Sequence, residues 1–290
     1  MLRAIRAFLA LHRLGTVAAA AEEVHLSAAA VSAQLKLLEE RLGVELFSRT
    51  RRSLQLTSAG HRLVPLAEKM LSVHEEMLQL SNADGLQGRI AIGVLSSALT
   101  GIFPAVLQRL KSETPGLDIR LVTGTSPFMI AQVEAGLLDA AVVTQPPKHY
   151  VTKLEVHHLF VEPMALVMPR GTRHRDLETT MAASPYIAFD RQTWVGQAID
   201  EYLLRQGIHV RAAMELNSQD AVMTMVRHGL GVTILPLLRG TAQARDRAVR
   251  LVPLNGFFRG VALVERKTHP HMDLTRKLLE TIVEVARDGA

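Results

Sequence analysis

The first 60 residues constrain the fold of this chain more than any other stretch. Apolar residues Ile5, Phe8, Leu9, Leu11 and Leu14 recur at helical spacing as far as Gly15, a residue suited to stopping a helix. Thr16 can then cap a second helix over Val17–Val24, with His25 and Leu26 as the turn that follows. Ser27 caps a third helix to about Leu42, whose stripe Val31, Leu35, Leu38 and Leu42 is expected to be buried and whose stop is Gly43. Arg49, Arg51 and Arg52 follow, leading into the alternating strand Ser53–Thr57. Helix, turn, helix and arginine-tipped hairpin, in that order, spell a winged helix-turn-helix.

Charge supports a nucleic-acid role for this head. Residues 1–62 hold nine Lys/Arg against five Asp/Glu, a balance of +4, whereas the remaining 24 basic and 23 acidic residues nearly cancel to complete the chain's +5. On the third helix Ala28, Ala29, Ser32, Ala33 and Lys36 face outward. Small side chains let the start of a helix enter a major groove, and the amides behind Thr16 and Ser27 can meet phosphates. The arginines of the hairpin can press on the backbone or reach the minor groove, which makes binding steeply salt-dependent.

These residues carry a family resemblance. The run Ser27-x4-Ser32-x-Gln34-Leu35-x2-Leu38-Glu39-x2-Leu42-Gly43-x2-Leu46-Phe47-x-Arg49, then Leu56-Thr57-x-Ala59-Gly60, resembles the DNA-binding domain of LysR-type transcriptional regulators. The resemblance implies double-stranded promoter DNA as partner, contacted through Thr16, Ser27, Ala28, Ala29, Ser32, Lys36, Arg49, Arg51 and Arg52. Family members often carry Gln after the capping Ser and Arg after the second Ser; Ala28 and Ala33 stand there in this chain. Base reading should therefore lean on thymine-methyl contacts, Ser32, Lys36 and the wing arginines.

A long helix capped by Thr57 or Ser58 should run to about Asn82. Its apolar residues Leu63, Leu66, Met70, Val73, Met77 and Leu80 are spaced 3, 4, 3, 4 and 3, a heptad pattern that predicts a partner helix and hence a homodimer. Pro65 predicts a bend early in the helix, and Ser81–Gln87 reads as a hinge.

From Arg89 strands alternate with helices: strand, helix 99–112, strand, helix 127–136 and strand, then a second unit of the same kind from near Met164, and a closing helix Met272–Arg287. Parallel sheets covered on both faces are expected. Two such lobes joined by crossing strands resemble the periplasmic-binding-protein-like effector domain of the same family. The expected architecture is α/β overall: a winged helix-turn-helix over 1–58, a linker and dimerisation helix over 59–87, and a two-lobed effector domain over 88–290. Lobe one would take about 88–161 and 266–290, and lobe two about 162–265. Ligands of open α/β sheets sit beyond the carboxyl ends of strands. That rule selects Ser96, Ser97, Thr125, Ser126 and Thr144 in lobe one, and Arg191, Thr193 and Trp194 in lobe two, for a small effector of unknown identity.

Other chemistries find little support. Cysteine is absent, which removes disulfides and thiolates and fits a reducing cytoplasm. His12 and Arg13 interrupt the one stretch that resembles a secretory signal, and no window has the roughly 18 apolar residues of a membrane span. No phosphate loop, nucleophile elbow or zinc-protease motif occurs, so no catalytic residues and no cofactor are assigned. The neighbours His157 and His158 would point to opposite faces of a strand, and neither they nor His269-x-His271 have Cys or organised carboxylates to complete a ligand set, so no metal site is expected. The resemblance implies a cytoplasmic regulator, homodimeric or homotetrameric, acting on RNA polymerase with no membrane partner. A small-molecule-binding or catalytic α/β protein with a basic association domain is the alternative left open by the residues.

Overall fold

A computed structural model describes residues 1–49, 54–79, 88–147, 150, 153–173, 176–237 and 246–288. The chain divides into two compact units, Met1–Ala83 and Asp84–Ala290. Among the described residues no helix is long and apolar enough to cross a membrane.

The first unit consists of α1 (Leu2–Leu14), α2 (Val17–Glu23), α3 (Ala28–Leu42), the antiparallel hairpin of β1 (Phe47–Arg49) and β2 (Leu54–Leu56), and α4 (Ser58–Gln79). Side-chain caps define the helix starts: Thr16 Oγ1 accepts from Ala19 N–H at 3.3 Å and Ser27 Oγ from Ala30 N–H at 3.1 Å. Gly15 and Gly43 end α1 and α3 at φ 74° and 67°. His25, at φ 54°, supplies the reversal between α2 and α3. Each cap is worth about 1 kcal/mol, while burying Phe8, Leu11, Leu38 or Leu46 is worth about 1.5–3 kcal/mol apiece. The caps therefore set where helices begin, and the core holds them together. Leu42 departs from the expected stripe and is 42% exposed; the chain turns at Gly43 and Leu46 closes the core in its stead.

Thr57 rather than Ser58 caps α4, its Oγ1 accepting from Gly60 N–H at 3.0 Å and donating to Glu45 O at 2.7 Å. Gly60 is required there because a Cβ would stand 2.3 Å from Leu46 O. Helix α4 continues through Pro65 and divides its apolar residues between two faces. Leu63, Val64, Ala67 and Leu71 join the head core, whereas Leu66, Met70, Val73 and Met77 are exposed at 63%, 42%, 44% and 58%. The expected heptad stripe thus loses Leu63 to the head, because the first turns of α4 pack on α1; Leu80 and the hinge lie outside the described residues.

In the second unit β3 (Gly88–Val94), β4 (Leu117–Val122) and β5 (Ala140–Thr144) are mutually parallel neighbours in the order β4-β3-β5. The helix expected over 99–112 is two, α5 (Ser96–Thr100) and α6 (Phe103–Glu113), because Gly101 breaks it and Pro104 suits a fresh first turn. Helix α7 (Ser126–Glu134) precedes β5. The strand β6 (Leu154–Pro169) starts ten residues before the expected Met164, and β10 (Val249–Arg266) is likewise longer than the sequence suggests. These two strands pair antiparallel along most of their length, with register shifts at Pro253/Phe258 and Val261/Ala262. Pro253, Gly256 and Gly260 mask that alternation in the sequence.

The result differs from two parallel sheets. One mixed six-stranded sheet, β4-β3-β5-β10-β6-β9, runs through both lobes, where β9 is Thr233–Pro236. In the second lobe β7 (Tyr186–Phe189) and β8 (Ala212–Leu216) form a parallel pair linked to the sheet by a Tyr186–Val232 bridge. Helices α8 (Leu177–Ala183), α9 (Trp194–Arg205) and α10 (Gln219–Arg227) cover this lobe, and α11 (Met272–Asp288) returns to the first. Val261–Glu265 pair with β5, so they belong to the first lobe's part of the sheet and not to the second.

Candidate nucleic-acid interface and ligand cleft

In the first unit α3 buries Val31, Leu35 and Leu38 and leaves Ala28, Ala29, Ala33 and Lys36 exposed. Thr16 and Ser27 open α2 and α3 on exposed ground, as the sequence suggests. Ser32, half-buried, donates its Oγ hydrogen to Ala28 O at 3.0 Å, which leaves the oxygen's lone pairs as acceptors. Lys36 Nζ lies 3.8 Å from Glu40 Oε1 in an exposed pair. Such i,i+4 pairs are worth about 0.3–0.5 kcal/mol, too little to hold the ammonium back from a phosphate.

Glu39 is the residue whose role the sequence did not disclose. Its Oε1 accepts from Leu46 N–H at 2.7 Å and from Phe47 N–H at 3.3 Å, tying α3 to the first wing strand. Phe47 in turn tilts against Phe8 of α1, ring centroids 5.6 Å apart. The wing is therefore fixed to the reading helix by a charge-assisted hydrogen bond and to the core by an aromatic pair. A carboxylate directly after the stripe residue Leu38 was the available signal. Arg49 ends β1; Arg51 and Arg52 lie outside the described residues.

The second unit holds a cleft of about 420 Å3 at the crossing between its lobes. Thr144, Gln145 and two prolines come from the end of β5, Trp194, Gln197 and Glu201 from α9, and Phe257 to Gly260 from the crossing part of β10. Gln145 N–H donates to Gly260 O at 2.8 Å and fixes the cleft floor. Of the eight expected effector residues, Thr144 and Trp194 line this cleft. Trp194 begins α9 in the second lobe yet packs on the first lobe's core, and it meets Tyr150 edge-on at 4.9 Å. Ser97 is buried just behind, its Oγ accepting from Arg259 Nη2 at 3.0 Å.

The other five do not line it. Ser126 Oγ accepts from Thr144 N–H at 3.1 Å and supports the strand end from beneath. Thr125 and Thr193 are the caps of α7 and α9, and Ser96 is an exposed first residue of α5. Arg191 lines a separate groove, where its Nε lies 3.0 Å from Asp200 and its backbone N–H donates to Glu215. For Thr125 and Thr193 the physical reason is shared: a hydroxyl at a helix start is consumed by the backbone it caps.

The cleft's cation was not foreseen. Arg259 and Glu162 are directly opposite on β10 and β6 and form a two-point ion pair, the side chains 7% and 12% exposed. Burial pushes the Glu162 carboxyl above its ordinary value and Arg259 pulls it back in part. The structure also brings carboxylates to one of the histidines. Across β6 and β10, Glu155, His157 and Glu265 converge, with ligand atoms all within 4.8 Å of one another. Glu155 shares the face of His157 by its i,i+2 spacing, whereas Glu265 is brought there by long-range pairing, which local spacing does not reveal.

Comparison with known proteins places this architecture. A family model described as "Bacterial regulatory helix-turn-helix protein, lysR family" matches residues 2–61, and one described as "LysR substrate binding domain" matches residues 83–287. "HTH-type transcriptional regulator CzcR" of Bacillus anthracis is 26% identical over 286 residues, covering 98% of this chain and 97% of that protein. "Probable RuBisCO transcriptional regulator" of Emiliania huxleyi is 29% identical over 235 residues, covering 78% of this chain and 75% of that protein. The solved structure "Crystal structure of full-length CbnR complexed with the target DNA complex" matches with a TM-score of 0.74 at 21% identity, covering 100% of both chains. A full-length OxyR variant from Pseudomonas aeruginosa matches with a TM-score of 0.69 at 22% identity, covering 100% of this chain and 97% of that one. At these identities the structural likeness is one of fold.

Proposed function

The chain belongs to the LysR family of helix-turn-helix transcriptional regulators, and from that membership we propose that it grips promoter DNA through α3 and the wing under the control of a small molecule bound between its lobes. Catalysis, the alternative that the residues left open, is displaced by that membership. The observation that carries the reading is the face of α3. A helix start free of bulky side chains, flanked by Lys36 and by a wing clamped through Glu39, fits a major groove with phosphates on either side.

Pairing through the exposed Leu66, Met70, Val73 and Met77 of α4 makes the homodimer, and association of such dimers makes a homotetramer. Two heads then read two half-sites in the cytoplasm, and RNA polymerase is the machinery they recruit or block. Among the expected DNA contacts, Arg51 and Arg52 supply sequence-independent affinity. Replacing both with alanine should lower the slope of log affinity against log salt by about 1.8, at about 0.9 per phosphate contact. Gel-shift titration on DNA beside the protein's own gene, repeated over salt, measures it; an unchanged slope removes the wing from the interface.

The effector occupies the cleft at the lobe crossing. Its walls of proline, Trp194 and Phe257 suit an apolar or aromatic body, while Thr144, Gln145 and Gln197 offer hydrogen bonds to a polar end. Because Trp194 touches both lobes, a ligand against it has differential affinity for open and closed arrangements, which is the condition for shifting them. A metabolite that raises the thermal midpoint should lose that effect in Trp194→Ala and keep it in Ser96→Ala. The reverse pattern would move the site to the start of α5.

A further inference from the structure

We propose that Glu155, His157 and Glu265 form a binding site for a divalent first-row transition cation, on the first lobe and apart from the ligand cleft. Glu155 and Glu265 are directly opposed cross-strand partners on β6 and β10, an arrangement in which two like charges repel. His157, two residues from Glu155, shares their face and places Nε2 at 2.8 Å from Glu265 Oε1 and 3.8 Å from Glu155 Oε2. Two ligands on a tetrahedral zinc stand about 3.3 Å apart, given metal–ligand distances of about 2.0–2.1 Å. The two separations from His157 bracket that value and all three ligand atoms lie within 4.8 Å of one another, so a cation fits between them with small side-chain shifts. Water completes the fourth position, on the side where Glu155 is exposed.

A second observation concerns the support of Glu265. His269, its ring fully buried, directs Nε2 to Glu265 Oε2 at 3.0 Å, which turns Oε1 toward His157. The other ring nitrogen, Nδ1, is buried without a hydrogen-bond partner among the described residues. A residue kept only for packing would avoid that cost; a residue that orients a ligating carboxylate accepts it. The site is distinct from the cleft: Gly260 and Glu265 are five residues apart on β10, about 17 Å of strand. Imidazole with carboxylates suits zinc, cobalt or nickel better than calcium or magnesium.

The test is calorimetric titration of the full-length protein with zinc chloride, and cobalt(II) titration followed by visible absorption. One equivalent per chain is expected, with a cobalt spectrum of low coordination number. Glu155→Gln, at an exposed position, and His157→Ala should each weaken binding by roughly tenfold or more. His158→Ala, altering the next residue on the opposite face, should leave it unchanged. Absence of one-equivalent binding, or binding equally lost in His158→Ala or indifferent to His157→Ala, overturns the proposal; circular dichroism of each variant secures that it is folded.

Discussion

Replacing Phe8 with alanine is expected to remove much of the stability of the DNA-binding head while leaving that of the second unit unchanged. Phe8 is fully buried at the meeting of α1 and the wing strand, against Phe47. Truncating a buried Phe costs about 3–5 kcal/mol, part of it for the cavity that remains. A unit of this size has a total stability of about 4–12 kcal/mol at the usual 0.05–0.15 kcal/mol per residue. The loss therefore removes much of what the head has. Hydrogen exchange on the full chain is the measurement: protection of α1 and α3 amides should fall by two to three powers of ten, at about 1.4 kcal/mol for each. Amides of β3 and β5 serve as the internal reference. Unchanged protection in α1 would mean that the wing is not anchored to the core through Phe8. DNA binding should weaken in the same variant as the temperature is raised, because Glu39 can place the wing only when α3 itself is in place.

Glu162→Ala is expected to destabilise the second unit by about 3–5 kcal/mol, the cost of leaving a buried charge without its partner. The variant strands the Arg259 guanidinium with Ser97 Oγ, a neutral acceptor that cannot balance it. Glu162→Gln, which keeps an acceptor, should lose less. The double variant Glu162→Ala/Arg259→Met should recover most of the loss, because it removes the stranded charge along with the pair. Trp194, the only tryptophan of the chain, lies in this unit and reports its unfolding by fluorescence in denaturant. If the double variant proved as unstable as Glu162→Ala, packing around the crossing strands would outweigh the charge. The pair also shapes recognition. With its guanidinium already matched by Glu162, the cleft offers an anionic effector less free charge than the presence of an arginine suggests.

Much of the head was legible because its information is local. Thr16, Ser27 and Thr57 cap helices through atoms three residues away, and Gly15 and Gly43 end them through their own φ angles. A period of 3.6 residues and a capping hydroxyl are both visible within a short window. In the body the same hydroxyls have two uses that residue type does not separate: Thr125 and Thr193 cap helices three residues on, while Ser126 accepts from Thr144 N–H, 18 residues away.

The sequence by itself determined the winged helix-turn-helix, its basic balance, its departures at Ala28 and Ala33, the exposed apolar stripe of α4 and the alternation of strands and helices in the body. Only the tertiary structure decided what pairing across long separations creates: the six-stranded sheet shared by two lobes, the Arg259–Glu162 pair 97 residues apart, and the meeting of His157 with Glu265 across 108. The division has a physical cause. Caps and periodicity act between neighbours, where residue type is enough to name the partner, whereas β6 and β10 find their register through the whole sheet, and no short window records which carboxylate will face which cation.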